Sequence, residues 1–438
     1  MDRFNYIKSM VSCSFPALKH DNFRIYWLGQ CVSLIGTWMQ NIGQTWLVYS
    51  ITGSPLLVGL LGAMQFLPIT IFSLFAGVVI DRYPKRTIIL ITQFTSMVLA
   101  LTLSVLVFTE TVRYEYILVL AFLLGLSNTI DIPTRQSFTI ELAGKDDLMN
   151  AIALNSATFN LARIVGPAIG ALILASLGAE WCFLINGLSY LAVILSLLKI
   201  KVQPYVRKEV SNNLLREIND GLKYISREPA LLKTILMVLI IGIFVFNFNV
   251  LIPVFTKGVL HQEEYVYGFL MSALGIGSFL GALMVSLNSK SGPNAKVLMG
   301  STVVVSILLV FISFSRTYYY TGVLLVITGI FNIWFSTTAN STLQINAKDE
   351  YRGRVISLYS LVFVGAAPLG NMFAGYVADK LGADIAFLLT GLLTLTCITA
   401  LMLAFKITPR LRDSSEYNQI TLQTNYTIFK KNDHTDNK

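Results

Sequence analysis

Two ionisable residues lie where an apolar chain tolerates them least. Arg163 sits midway along the apolar run 150–177, and Asp131 lies towards the end of the run 115–140. A charge at mid-bilayer costs at least ~2.5–3.5 kcal/mol on insertion scales, so such residues face a cavity or a partner. Two arrangements are open. Asp131 can pair with Arg135, one helical turn on, leaving Arg163 to carbonyls or water. Alternatively, Arg163 attracts an anionic part of a cargo, and protonation of Asp131 alters that attraction. Uncharged polar residues mark the same interior. Thr37, Asn41 and Gln44 share one helical face, at spacings of four and three. Gln65, Asn128, Asn155, Asn247 and Asn332 lie inside other runs. Each can contact a cargo or tie one helix to another.

No enzyme chemistry emerges. The three histidines, His20, His261 and His434, pair with no cysteine or carboxylate at ligand spacing. The four cysteines, Cys13, Cys31, Cys182 and Cys397, are scattered, without metal spacing, and three lie in or near apolar runs where a thiol behaves as a small hydrophobe. The Gly-x-x-x-x-Gly-Lys-Ser/Thr phosphate loop is missing, which excludes direct use of ATP through it. The sequence therefore reads as no enzyme, with no metal site and no cofactor.

The elements that must position these residues are membrane helices. Apolar residues make up 54% of the chain and charged ones 13%, roughly half the charge of a soluble domain. The apolar residues fall in runs long enough to cross a hydrocarbon core, where backbone groups must be satisfied within the segment. Twelve spans are expected, near 25–50, 55–80, 87–109, 115–140, 150–177, 181–200, 231–256, 265–288, 296–315, 318–343, 354–378 and 384–407. Pro68 and Pro253 are the expected kinks. The fold class is all-α integral membrane. The net charge of +9 resides in short connections, so it controls topology rather than binding nucleic acid.

One set of connections carries Arg82, Lys85, Arg86, Lys145, Lys199 to Arg227, Lys290, Lys296, Lys348, Arg352 and Arg354; the alternate set carries only Arg113, Lys257, Arg316 and Lys380. Basic-rich connections stay in the cytoplasm, which places both termini there. Tyr114, Tyr116, Trp181, Tyr265, Tyr267 and Tyr318 to Tyr320 anchor the other interface. The first twenty residues lack an apolar core long enough for a cleaved signal peptide. The expected divisions are a cytoplasmic segment 1–24, a six-helix half 25–200, a cytoplasmic link 201–230, a second half 231–407 and a polar tail 408–438. In the link, Leu214, Leu215, Ile218, Leu222 and Ile225 recur at helical spacing. They predict an amphipathic helix on the inner membrane face or between the halves.

A repeat supports two halves. Leu177-Gly178-Ala179-Glu180 with Phe183, Leu184 and Gly187 returns 204 residues later as Leu381-Gly382-Ala383-Asp384 with Phe387, Leu388 and Gly391. Parallel halves with a site at their interface follow.

The connection between the second and third spans reads Gly77-Val78-Val79-Ile80-Asp81-Arg82-Tyr83-Pro84-Lys85-Arg86. It resembles the signature loop of the major facilitator superfamily, with Pro84 where that family usually has glycine. Gly77 permits close helix approach. Asp81 can meet the positive N-terminal end of a neighbouring helix, making the loop a gate, or the basic residues can serve topology alone. The corresponding connection in the second half, Asn288 to Pro293, lacks the acid, which predicts an asymmetric gate. Ala162-Arg163-Ile164-Val165-Gly166-Pro167-Ala168-Ile169-Gly170-Ala171 resembles the antiporter motif of the same superfamily, with alanines in place of the outer glycines; it serves either exchange or plain helix packing.

Further stretches, among them Phe23-Arg24-Ile25-Tyr26-Trp27-Leu28-Gly29-Gln30, Gly36-Thr37-Trp38-Met39-Gln40 and Pro133-Thr134-Arg135-Gln136, are similar to the branch that contains the enterobactin exporter and macrolide efflux proteins. The resemblance covers nearly the whole chain. It implies export of a small molecule across the bacterial inner membrane, with protons as the usual exchanged ion; a monomer embedded in lipid is expected. The expected function is proton-coupled export of an amphipathic compound, siderophore or drug-like, by alternating access. A nutrient importer and a non-transporting receptor or lipid-handling protein on the same fold are the alternatives.

Overall fold

A computed structural model describes residues 15–144, 146–200, 214–287 and 292–405, without the side chains of residues 74, 75, 78, 81 and 214–219. Among the described residues there is no strand. After a short 3-10 turn, the first half consists of α1 (Asp21–Thr52), α2 (Pro55–Arg82), α3 (Lys85–Phe108), α4 (Tyr114–Ala143), α5 (Leu148–Ser176) and α6 (Ala179–Lys199). Next comes α7 (Leu214–Arg227), in the link. The second half consists of α8 (Pro229–Phe244), α9 (Phe248–Gly258), α10 (Glu264–Leu287), α11 (Ala295–Phe314), α12 (Tyr318–Asn346), α13 (Asp349–Leu381) and α14 (Ala383–Ala404).

Eleven segments among the described residues are long and apolar enough to span a membrane, with α8 and α9 counted as one. The 32-residue α1 makes the twelfth crossing, although Gln30, Gln40, Asn41 and Gln44 lower its hydropathy. Local chemistry sets the turns. After α1, Gly53 adopts φ 62°, and its N–H bonds the Tyr49 carbonyl. Ser54 then accepts the Leu57 N–H at 3.4 Å, and Pro55 opens α2. The repeat recurs as geometry: Gly178 and Gly382 precede α6 and α14 at φ 106° and 97°, a backbone region that favours glycine.

The seventh crossing departs from expectation. Its interruption lies at Val245–Asn247 rather than at Pro253, which sits within α9. The Val245 and Phe246 N–H groups both turn back to the Ile241 carbonyl, and Asn247 presents its carbonyl to Val250 and Leu251. One helix ends there and another starts, so the break precedes the proline. At Pro68, α2 runs on as one helix.

The link helix α7 settles on the second half. Tyr224 stacks on Tyr351 at 4.3 Å and its hydroxyl accepts the Lys348 N–H at 3.1 Å. Ile225 is buried with Leu231, Ile235, Leu343 and Val355.

The halves meet along two antiparallel seams, α2 on α13 and α5 on α10. Both depend on missing side chains. A Cβ on Gly59 would lie 2.5 Å from the Asn371 carbonyl oxygen, and one on Gly268 would lie 2.1 Å from the Ala171 methyl. Backbones approach at such places because dispersion and shape, rather than a hydrophobic drive, hold helices together in lipid. Ser272 adds a hydroxyl donated to the Ile164 carbonyl at 2.9 Å. The end of the bundle that carries the α2–α3 connection, the start of α1 and the end of α14 is the basic end, and the opposite one the far end.

Candidate functional site

The α4 charges form a closed network inside the first half. Asp131 is 4% exposed. Its Oδ2 accepts Arg135 Nε at 2.5 Å, and its Oδ1 accepts the Thr92 hydroxyl at 2.5 Å and Gln93 Nε2 at 3.2 Å. Arg135 also donates to Gln30 Oε1, and Gln30 Nε2 donates to the Tyr26 hydroxyl at 2.5 Å. Tyr26 in turn meets Phe138 edge-on at 5.3 Å. The four-residue spacing puts acid and base on one face of α4, and α1 and α3 supply the remaining partners. A buried pair is tolerable when its other lone pairs and protons find partners; Thr92, Gln93 and Gln30 supply them here, although Gln93 Oε1 itself is left without one. Deeper along α1, Asn186 Nδ2 donates to Gln40 Oε1 at 2.6 Å.

Arg163 belongs to a different surface. Its guanidinium carbon stands 5.9 Å from the Trp38 ring centroid, and Trp38 meets Phe159 edge-on at 5.7 Å. Among the described residues, no carboxylate or hydrogen-bond acceptor pairs with its side chain. The motif around it is a packing device: a Cβ on Gly166 would fall 2.4 Å from the Trp38 Cβ, and one on Gly170 would fall 3.1 Å from the Met39 Cα. Pro167 offers its carbonyl to the Gly268 contact across the seam. These small residues seat α5 on α1 and thereby hold the guanidinium over the indole.

A third group is neutral. Asn41 and Thr45 of α1, Gln65 of α2, Asn249 of α9 and Asn371 of α13 converge on a cavity of about 20 Å³ between the halves, enough for a water. Asn41 and Gln65 were expected; Asn249 and Asn371 were not, because they arrive from the other half and no spacing along one helix announces them. The remaining candidates separate. Thr37 bonds its own helix at the Ser33 carbonyl, 2.9 Å away, and Asn155 ties α5 to Thr139 of α4 at 3.2 Å. Asn128 is half-buried. Gln44, Asn247 and Asn332 are buried with a carbonyl oxygen unpartnered.

The model of the transmembrane secretion effector family, a branch of the major facilitator superfamily, matches residues 12–428. The chain belongs to that family. It is 28% identical over 368 residues to the staphyloferrin A transporter of Staphylococcus aureus, covering 83% of this chain and 91% of the relative. Over 379 residues it is 27% identical to the multidrug efflux pump Tap of Mycolicibacterium fortuitum, with 84% and 91% covered. Macrolide efflux protein A of Streptococcus pyogenes is 21% identical, with 87% and 96% covered. The fold matches an inward-facing bacterial homologue of the lysosomal transporter Spinster, at a TM-score of 0.70 and 13% identity over 88% of this chain and 97% of that one. The protein is a multi-pass membrane transporter.

In this transporter the signature loop works as an anchor in the described conformation. Arg86 Nε donates to the Leu197 carbonyl at 2.8 Å and a terminal nitrogen reaches Leu198 at 3.3 Å, capping the end of α6. Lys85 pairs with Glu141 of α4 at 3.1 Å. Arg82 is exposed. Among the described residues, a Cβ on Gly77 would meet nothing within 4 Å. The Asp81 side chain lies outside the described set. At the far end the halves are joined by Lys257, whose ammonium stands 5.7 Å from both the Trp46 and Tyr49 ring centroids. Tyr267 stacks on Trp46 at 5.8 Å.

Proposed function

We propose that the transporter exports an amphipathic, anionic small molecule from the bacterial cytoplasm by alternating access, in exchange for protons. The observation that carries this reading is the half-buried Arg163 guanidinium, packed against Trp38 and without a counter-ion among the described residues, on a helix that forms a seam between the halves. A cation inside a membrane bundle without its own anion is an attractor for one, and the Trp38–Phe159 surface beside it suits an apolar body. Export agrees with the efflux relatives, and a siderophore or drug-like cargo with the named ones.

The basic end would face the cytoplasm, with both termini there. The two six-helix halves would then move as two bodies, with α7 riding on the second. Among the described residues, contacts across the α2–α13 seam run from Ser54–Asp379 to Thr70–Gly365, whereas a Cβ on Gly77 or Gly353 would meet nothing within 4 Å. That pattern fits a state closed at the far end and open at the basic end. Asp131 would be the proton site, its pair with Arg135 loosening on protonation.

Everted membrane vesicles with an imposed pH gradient test the reading. Candidate anionic siderophores and efflux substrates should accumulate inside while the gradient falls. Accumulation that ignores the gradient removes proton coupling; uptake only by right-side-out cells makes the protein an importer.

A further inference from the structure

The last turns of α13 read Gly375-Tyr376-Val377-Ala378-Asp379-Lys380, which repeats the order of glycine, three residues, acid and base in Gly77-Val78-Val79-Ile80-Asp81-Arg82 at the end of α2. The two helices are antiparallel neighbours. Ser54 meets Asp379, Gly59 meets Gly375, Gly62 meets Asn371 and Thr70 meets Gly365. The two copies therefore fall at opposite ends of one seam. Continued in register, that seam would bring Asp81 to the first turns of α13 near Gly353.

The far-end copy is engaged. Asp379 Oδ1 accepts the Ser54 hydroxyl at 2.7 Å and lies 3.5 Å from the Leu56 N–H. Ser54 is the N-cap of α2, so a carboxylate of the second half sits at the N-terminus of a helix of the first, beside the Leu56 N–H. Helix N-termini carry partial positive charge, and charge-assisted bonds to them are about twice as strong as neutral ones. Gly375 makes the reach possible: a Cβ there would lie 2.8 Å from the Pro55 carbonyl oxygen and 2.9 Å from the Gly59 Cα. Lys380, 3.6 Å from Asp379 Oδ2, is the only other charged side chain paired with it among the described residues.

We infer that Asp379 is a positioning residue that locks the far end, and that the far gate opens only by parting it from Ser54 and the α2 N-terminus. The inference rests on the alternating-access reading. The carboxylate contributes only to the far-closed state, so it sets the ratio of the two open states without touching cargo.

The experiment uses the full-length transporter with its native cysteines replaced. Spin labels on Thr111 and Thr317 report the far end, and labels on Thr87 and Glu350 report the basic end. Asp379→Asn should raise the far-open population about tenfold, the size of one charge-assisted bond, and shorten the basic-end distance in step. Ser54→Ala should do the same more weakly, and Asp379→Glu should restore the wild-type ratio. A purely structural role would broaden both distances without exchanging one for the other. If the wild type exchanges between two states and Asp379→Asn and Ser54→Ala leave the ratio unchanged, the lock is refuted while alternating access stands. If the wild type holds one state under every gradient and cargo, alternating access fails and the lock with it.

Discussion

Arg163 and Trp38 face one another across the α1–α5 packing, the guanidinium carbon 5.9 Å from the indole centroid, and the arginine has no acid beside it among the described residues. A cation over an aromatic face gains about 0.5–2 kcal/mol, more when dry. That is too little to offset the cost of a charge within the membrane, and the half-buried guanidinium is left open to water or to an anionic ligand.

The first prediction concerns this pair. Arg163→Gln should abolish export while leaving the protein in the membrane with unchanged thermal stability. Arg163→Lys should restore it poorly, because an ammonium neither stacks nor binds a carboxylate with two parallel bonds. Transport in vesicles beside a melting curve of the purified variants checks both. Wild-type transport by Arg163→Gln would move the cargo site to the amide cavity at Asn41, Gln65, Asn249 and Asn371.

Asp131 and Arg135 predict a different pattern. Removing one partner of a buried pair strands the other and costs about 3–5 kcal/mol, whereas removing both costs far less. Arg135→Gln should therefore melt well below wild type, and Asp131→Asn with Arg135→Gln should recover most of the loss. Asp131→Asn alone should still bind cargo but lose the dependence of transport on the pH gradient. A double variant no more stable than Arg135→Gln would show that the other partners, Thr92, Gln93 and Gln30, dominate the network.

Much of this architecture is legible in one dimension. Runs of apolar residues specify crossings because a bilayer imposes a length, and their ends lie within a few residues of α1 to α14. The Asp131–Arg135 pair is legible too, since i and i+4 share a helix face. What spacing cannot show is any contact between elements distant in sequence. Gln30 binding Arg135, Asn371 entering the cavity with Asn41, and Asp379 reaching Ser54 each require two helices to be placed first. The Gly375-to-Lys380 pattern was printed in the sequence, but it lies at the other end of the membrane from its counterpart and inside an apolar run. The break at Asn247 was hidden because proline, the usual marker, stands six residues further on.

The signature loop yields a third prediction. Arg86 caps α6 with two charged donors, so Arg86→Ala should lower stability by about 1–3 kcal/mol by leaving the Leu197 and Leu198 carbonyls short of partners. Membrane orientation should survive, since the neighbouring Arg82 and Lys85 keep the connection basic. Asp81→Asn should do the reverse, impairing transport with little effect on stability. Melting curves and transport rates separate the two, and equal losses of both kinds in each variant would reject a division of labour within the loop.

The last prediction concerns Lys257, which stands over rings of the opposite half at the far end. Trp46 and Tyr49 come from α1, Lys257 from α9, and the Tyr267 ring stacked on Trp46 from α10. Separating the halves at that end removes the cation from both faces, so the contact favours only the closed arrangement. Lys257 is exposed, which holds its contribution to about 0.5–1 kcal/mol, the range for exposed cation–π contacts. Lys257→Met keeps most of the apolar stem and removes the charge; it should raise the far-open population about two- to fivefold, and Lys257→Arg should not. Trp46→Leu should give a comparable rise plus a loss of packing against Tyr267. Because lysine and tryptophan act through one contact, the double variant should open the far end less than the product of the single effects. Measured with the far-end spin labels, strict multiplicativity would show that the ammonium and the rings are neighbours without coupling.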